Sequence, residues 1–275
     1  MVVTPELDVV LATCNGAPFL DAQLRSLWQQ QRRLDRLLVL DDGSSDGTAA
    51  ILQRWHQRHP GWIQLLPPSP QRLGATEAFG RLLAASSAPY VALCDQDDLW
   101  LPQRLSTGLR RLQAAETHSP LGSQQPLLVH SDALLIDADG VQLPQRLWQW
   151  HRVRSHQPAL WQLALRNQVT GCTVLCNRAL LDQALPIPPA AVLHDWWLGL
   201  IACREGGLLA CPQPLLKHRR HNRNASGPRT GLQRLRRLRS LAARWRQWHA
   251  VRTGHQPLTG SRPLRETNPT LDHRQ

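Results

Sequence analysis

Three carboxylates within four residues, Asp95, Asp97 and Asp98, follow directly on the apolar run Tyr90 to Cys94. Side chains two apart on an extended segment point the same way, so Asp95 and Asp97 converge on one point. Carboxylates packed so closely repel one another unless a cation joins them. A hard divalent ion, Mg2+ or Mn2+, held by one or two carboxylates and by substrate phosphates, meets that need. The competing reading is that Asp97 and Asp98 cap the helix that follows Pro102. A second acidic cluster, Asp41-Asp42-Gly-Ser-Ser-Asp46-Gly-Thr48, follows the apolar run Leu37 to Leu40. Its Gly and Ser residues permit a tight turn with exposed backbone amides, and Asp41 can accept a hydrogen bond from a pyrimidine N–H or a ribose hydroxyl. Ser44, Ser45 and Asp46 also fit a plain capped strand-to-helix turn.

The elements that must position these groups alternate. Leu7 to Thr13 reads as a buried strand, Pro18 to Gln30 as a helix and Leu37 to Leu40 as a second strand. Asp46 offers an N-cap to a helix carrying Ala50, Ile51 and Trp55. Trp62 to Leu66 is strand-like, Glu77 to Ala85 helical, and Tyr90 to Cys94 a fourth strand. Such an order makes an α/β fold, a mostly parallel sheet with helices on both faces, and puts functional loops beyond the carboxyl ends of the strands. A helix then runs from Pro102 to about Glu116, Leu127 to Ile136 and Val169 to Cys176 read as strands, and Leu143 to Trp161 has no clean period. Pro186, Pro188 and Pro189 enforce an extended connection before a helix from His194 to Arg204. Pro214 to Lys217 is strand-like.

The chain has 275 residues, 42% of them hydrophobic, enough for one large globular domain. Its formal charge of +12 is uneven, since residues 228 to 275 carry 11 Arg against Glu266 and Asp272. The remainder is nearly neutral with acidic clusters, which phosphate backbones avoid, so nucleic acid is excluded as a partner. No run of about 20 apolar residues exists, and the N-terminus lacks the basic and apolar regions of a signal peptide, which predicts a cytoplasmic protein. Six dispersed cysteines read as reduced, mostly buried thiols. The expected division is a domain over residues 1–227, a basic amphipathic helix over 228–252 and a disordered tail over 253–275. Within 232–248, Leu235, Leu238, Leu241, Ala242, Trp245 and Trp248 share an arc of about 140 degrees, with most arginines outside it. That stripe either lies on an anionic membrane surface or docks on the protein's own domain.

The order Val10-Leu-Ala-Thr-Cys-Asn-Gly16, Asp41 to Thr48, Gly74 with Phe79, and Asp95-Gln-Asp-Asp-Leu-Trp100 resembles the family 2 glycosyltransferases, whose fold is the Rossmann-like GT-A type. The resemblance continues through His130-Ser-Asp132, Asn167-Gln-Val-Thr-Gly-Cys172, His194-Asp-Trp-Trp197 and His218 to Asn224. These motifs are similar to those of the branch with bacterial rhamnosyltransferases, and the match covers about residues 7 to 227. Three positions depart from the pattern: Cys14 for an aromatic, His218 for a tyrosine and Arg220 for a glutamine.

The resemblance implies that the end of the first strand, Thr13 and Asn15, holds the nucleoside with Asp41 and Asp42. Asp95 then binds ribose and, with Asp97, the metal on the diphosphate. It makes Arg72 a candidate for the nucleotide or its phosphates, His221 a third metal ligand, and Arg219 a partner of the diphosphate. By the same resemblance Asp195 is the general base that deprotonates the acceptor, a role that a carboxylate among apolar neighbours suits. Trp196 and Trp197 are candidates for stacking on the acceptor sugar, with the core as the other destination. The implied protein is a metal-dependent inverting glycosyltransferase. It moves a sugar, rhamnose by the branch resemblance, from a nucleoside diphosphate donor to a saccharide or lipid-linked acceptor in polysaccharide biosynthesis. The rival readings are a nucleotidyltransferase and a degenerate membrane-binding module.

Overall fold

The computed structural model describes residues 6–69, 71–153, 158–221 and 233–253, with side chains of the last segment described from residue 243 onward. The expected tail beyond Thr253 lies outside these residues. At the centre β1 (Leu7–Thr13) pairs in parallel with β2 (Arg36–Asp41) on one side and β4 (Tyr90–Cys94) on the other, and β2 pairs in parallel with β3 (Ile63–Leu65). The helices between them, α1 (Ala17–Trp28), α2 (Thr48–Arg58) and α3 (Ala75–Ala85), cover the two faces. Because successive side chains point to opposite faces, Val9, Leu11, Leu37, Val39 and Ala92 join one apolar cluster with α1, α2 and α4 (Arg104–His118). Val10, Leu38, Leu40, Val91 and Leu93 join the other, with α3 and α8 (His194–Arg204). Burial on both sides is why these strands read as continuous apolar runs.

Beyond β4 the sheet becomes mixed. Among the described residues its nine strands run β3-β2-β1-β4-β8-β6-β9-β5, with β7 (Gln142–Arg146) paired to β6 (Leu128–Ile136). β8 (Val174–Asn177) is antiparallel to both β4 and β6. It is shorter than the expected strand from Val169, because residues 171–173 form a single 3-10 turn in which the Gly171 amide bonds to a carboxylate on α8. β9 (Leu208–Arg219) is longer than the expected Pro214 to Lys217. Two prolines do not break it, since its register with β6 slips from Ser131↔Cys211 to Asp132↔Pro214, leaving Pro212 and Gln213 in a bulge. The unassigned stretch resolves into β7, the short helix α5 (Leu147–Trp150) and, after it, α6 (Leu160–Leu165). α7 (Arg178–Ala184) starts from Asn177, whose side chain accepts the Leu180 amide.

Two connections matter for the site. β5 (Leu99–Trp100) is only two residues long, yet it pairs antiparallel with β9 at Leu99↔Lys217, bringing the acidic segment 95–98 against residues 218–221. α8 is apolar on all sides, with residues 194–202 all buried. The last described helix, α9 (Gln233–Thr253), lies against α6 and α8. Gln247 and Val251 are buried, Gln247 Oε1 accepts the Val192 amide at 2.6 Å, and Arg204 donates to the Val251 carbonyl at 2.9 Å. The docked face thus carries Gln247 and Val251 with Trp248 and Ala250 packed partly buried beside them, so of the predicted apolar arc Trp248 docks on the domain while Trp245 points outward, 65% exposed. The six cysteines are free, four of them buried. No helix among the described residues is long and apolar enough to cross a membrane.

Candidate active site

The candidate residues of the first hundred positions gather at the carboxyl edge of β1, β2 and β4, where the register sets Thr13 beside Asp41 and Leu11 beside Cys94. Asp95 to Asp98 leave β4 in a turn rather than an extended strand, and the turn brings three carboxylates together instead of two: oxygens of Asp95, Asp97 and Asp98 lie within 4.8 Å of one another. Burial raises the Asp95 pKa well above the ordinary range, and the Asp98 and Asp97 charges raise it further. Burial and the Asp98 charge raise Asp97 as well. At Asp95 and Asp97 the group is therefore short of positive charge, and Asp98 Oδ2 is buried with no hydrogen-bond partner. An all-oxygen set with an orphaned acceptor fits a hard divalent cation such as Mg2+ or Mn2+.

Part of the compensation is built in. His218 Nδ1 donates to Asp98 Oδ1 at 3.0 Å and touches Cys172 Sγ at 3.6 Å. Burial opposes its charge, but Asp98, Asp95 and Asp97 outweigh that and lift the His218 pKa to about 9. Burial would also raise Asp98, yet the His218 charge and hydrogen bonds from His218 and the Arg219 amide hold it below the ordinary value. Arg104, buried behind the cluster, stacks over Trp100 at 4.0 Å and donates to the carbonyls of Leu93 and Val174. Burial lowers its pKa to about 10, still protonated at neutral pH.

His221 Nε2 meets Asp97 Oδ2 at 2.7 Å, so the expected third ligand does reach the carboxylates. It stacks on Phe19 with ring centroids 5.0 Å apart, and the Arg219 guanidinium lies over the same ring at 4.8 Å. Arg219 itself is buried and cross-links the site, donating to the carbonyls of Asp97 (3.0 Å), Asp137 (3.2 Å) and Ala138 (2.8 Å).

At the end of β1, Gln96, the residue between the two carboxylates of the motif, is the latch that sequence reasoning overlooked. Its Oε1 accepts the Thr13 hydroxyl at 2.6 Å and the Cys14 amide at 2.7 Å, and its Nε2 donates to the Cys14 carbonyl at 3.1 Å. A Cβ on Gly16 would collide with this amide, which explains a glycine there. Asn15, at φ +52, accepts the Ser45 amide at 2.8 Å, and its own amide bonds Ser44 Oγ at 2.8 Å. The left-handed backbone favours Asn over most residues. Asp41 accepts the Ser44 amide and hydroxyl, so its carboxylate is oriented by the turn that follows it. Asp42 is buried and accepts the Leu73 and Gly74 amides at 2.6 and 2.8 Å, which anchors the loop carrying Arg72. The Arg72 guanidinium reaches the Cys14 thiol at the mouth of this site.

Asp195 sits in the first turn of α8, 8% exposed. Its Oδ2 accepts the Gly171 amide at 2.9 Å and its Oδ1 accepts the Trp196 amide at 2.6 Å and Asn167 Nδ2 at 3.3 Å. Burial pushes its pKa up to about 6, against the opposing pull of these donors. His194 beside it is neutral, its pKa lowered by burial to about 3, and stacks on Phe79 at 4.1 Å to seat the helix start. Asn167 and Gly171 were legible only as family motif positions; what they do is orient the carboxylate. The Asp195 charge adds to the rise of the Asp95 pKa, so the two carboxylate sites are neighbours in the fold. The structure corrects the expectation for the tryptophans. Trp196 and Trp197 are 4% and 0% exposed and donate to the carbonyls of Leu163 and Ala184, so they are core residues with no face for a sugar.

Comparison with known proteins agrees with this fold. The glycosyl transferase family 2 model matches residues 8–126. The dTDP-rhamnosyl transferase RfbG of Shigella flexneri is 28% identical over 102 residues, 36% of this chain and 35% of that protein. The chain thus spans about a third of that relative's length. The putative teichuronic acid biosynthesis glycosyltransferase TuaG of Bacillus subtilis is 22% identical over 204 residues, covering 72% of each chain. Among solved structures, the mannosyltransferase PcManGT from Pyrobaculum calidifontis, in complex with GDP-Man and Mn2+, is similar in fold. Its TM-score is 0.62 at 20% identity, covering 93% of this chain and 67% of that one.

Proposed function

Since the glycosyl transferase family 2 model matches residues 8–126, we propose that the chain belongs to that family and transfers a sugar from a nucleoside diphosphate donor to a hydroxyl of a saccharide or lipid-linked acceptor, with inversion. The observation that carries the reading is a carboxylate triad short of positive charge with a single buried carboxylate of raised pKa close enough for its charge to act on it. Asp95 and Asp97 would hold a divalent cation, with His221 beside them, and that cation would offset charge on the leaving diphosphate. The turn 41–48, Thr13 and Asn15 bind the nucleoside, and Arg72 covers it from the loop that Asp42 anchors. Asp195 takes the proton from the acceptor hydroxyl as its oxygen attacks the anomeric carbon. The bond to the diphosphate breaks on the opposite side, and the nucleoside diphosphate departs with the electron pair.

The carbonyls bound by Arg219 keep residues 137–138 closed against the acidic turn, so Arg219 shapes the diphosphate site through its cross-links. Rhamnose on thymidine diphosphate is the donor favoured by the similarity to RfbG, and polysaccharide biosynthesis is the setting favoured by TuaG. The basic segment 232–248 fits an enzyme that works at the inner face of a membrane.

The test is donor hydrolysis with thymidine diphosphate-rhamnose, UDP-GlcNAc and GDP-mannose, each with Mn2+, with Mg2+ and with excess chelator. One donor should be hydrolysed, and both chelation and Asp97→Asn should abolish it. Pyrophosphate release from a nucleoside triphosphate, with every nucleotide sugar left intact, would make the protein a nucleotidyltransferase instead. Undiminished hydrolysis in chelator would remove the cation from the mechanism.

A further inference from the structure

We propose that α6, α9 and the turn into α8 together form a face that seats on an anionic lipid bilayer. Eight large apolar side chains are exposed among the described residues, and four of them belong to this face: Trp161 and Leu165 on α6, Leu193 before α8, and Trp245 on α9. Trp161 and Leu165 are four residues apart, so both point from the same side of α6. They are 58% and 60% exposed. Arg244 donates to the Leu165 carbonyl at 3.2 Å and bolts α9 to α6. The same docking that buries Gln247 and Val251 turns the neighbouring Trp245 outward.

Charge says what covers the face. No Asp or Glu occurs between residues 140 and 181 or between 206 and 265, while α9 alone carries seven arginines. Arg166 and Arg246 are exposed next to Leu165 and Trp245. A second copy of the chain meeting this face symmetrically would set arginine against arginine. An anionic bilayer has the matching chemistry: phosphates for the guanidinium groups, the headgroup level for the indoles and the acyl boundary for the leucines. The face is also joined to the chemistry, because α6 accepts the Trp196 indole N–H at the Leu163 carbonyl, 2.7 Å, and Trp196 follows Asp195. On the activity proposed above, a lipid-linked acceptor would be presented to Asp195 from the bilayer surface; the binding itself does not depend on that activity.

The experiment uses the full chain with sedimented vesicles, either phosphatidylglycerol and phosphatidylcholine in equal parts or phosphatidylcholine alone. The protein should bind the first, not the second, and be released as salt rises. Trp161→Ala and Trp245→Ala should each lower partitioning about tenfold, as loss of a buried indole implies. Leu121→Ala, at an exposed apolar position on another side, should leave it unchanged. Donor hydrolysis without vesicles should be the same in all four proteins, which reports folding. Equal binding by the tryptophan variants, or equal binding to neutral vesicles, overturns the proposal. So does a dimer in sedimentation equilibrium that Trp161→Ala dissociates, since a second copy would then be the occupant. Expected vesicle behaviour with no donor hydrolysed would leave the membrane face standing and the activity refuted.

Discussion

Lowering the pH from 7 to 5 should reduce turnover about tenfold, and the reason lies in the burial of one carboxyl group. Asp195 titrates at about 6 rather than at 3.8, the ordinary value, because α8 and the turn at Gly171 exclude water from it. At about 1.36 kcal/mol per pH unit the rise disfavours the ionised form by about 3 kcal/mol. With that value the base is about 90% ionised at pH 7 and about 10% at pH 5; an unperturbed aspartate would still be more than about 90% ionised at pH 5. The assay is turnover at saturating donor, acceptor and Mn2+ across this range. The donor diphosphate has no ionisation there, so the inflection belongs to the protein. Asp195→Asn should lower turnover about a hundredfold or more, leave donor affinity nearly intact and abolish the inflection. The same burial sets a stability trend of known sign. The folded state binds this proton more tightly than the unfolded chain, so the Asp195 contribution is most favourable below about pH 4 and declines, by at most about 3 kcal/mol, as pH rises through 6. A flat rate profile from pH 5 to 7, or an inflection that survives Asp195→Asn, would refute the assignment of the base.

Two further perturbations probe how the site is held. Gln96→Leu keeps the volume but removes the partners of the Thr13 hydroxyl and of the Cys14 amide and carbonyl; it should lower stability by about 2 to 3 kcal/mol in thermal unfolding and weaken Mn2+ binding in a calorimetric titration. Gly171→Ala would set a Cβ 3.0 Å from His194 Nε2 and 3.6 Å from Asp195 Oδ2. Displacement of α8 should cost about 1 to 3 kcal/mol and reduce turnover with donor affinity unchanged, as measured by unfolding and steady-state kinetics.

The strands and helices of the first hundred residues could be read from the chain because burial on both faces of a parallel sheet leaves an unbroken apolar run, and each helix begins at a turn signal of its own. The carboxylate motif was legible for a similar reason, since Asp95, Asp97 and Asp98 are adjacent and their mutual repulsion is a local property. The second half was less legible because its boundaries are set by distant partners. β5 is two residues long and exists only as the pair of β9, and β8 starts at Val174 only because the Gly171 amide is claimed by Asp195. The apolar run after the prolines reads as a helix from His194 to Arg204, but which of its residues lies near the acidic cluster depended on the neighbours that surround it, and these bury Trp196 and Trp197. Likewise Gln96 reads as an inert spacer between two aspartates until β1 and β4 lie side by side and bring the Cys14 backbone to its amide. Sequence by itself determined the chemistry on offer, an acidic motif at a strand end, a carboxylate in apolar surroundings and an arginine-rich helix. Only the tertiary structure decided which groups meet, because the sheet pairing joins Asp97 and Asp98 to residues 218–221 across about 120 positions of chain, a separation at which local propensity carries no information.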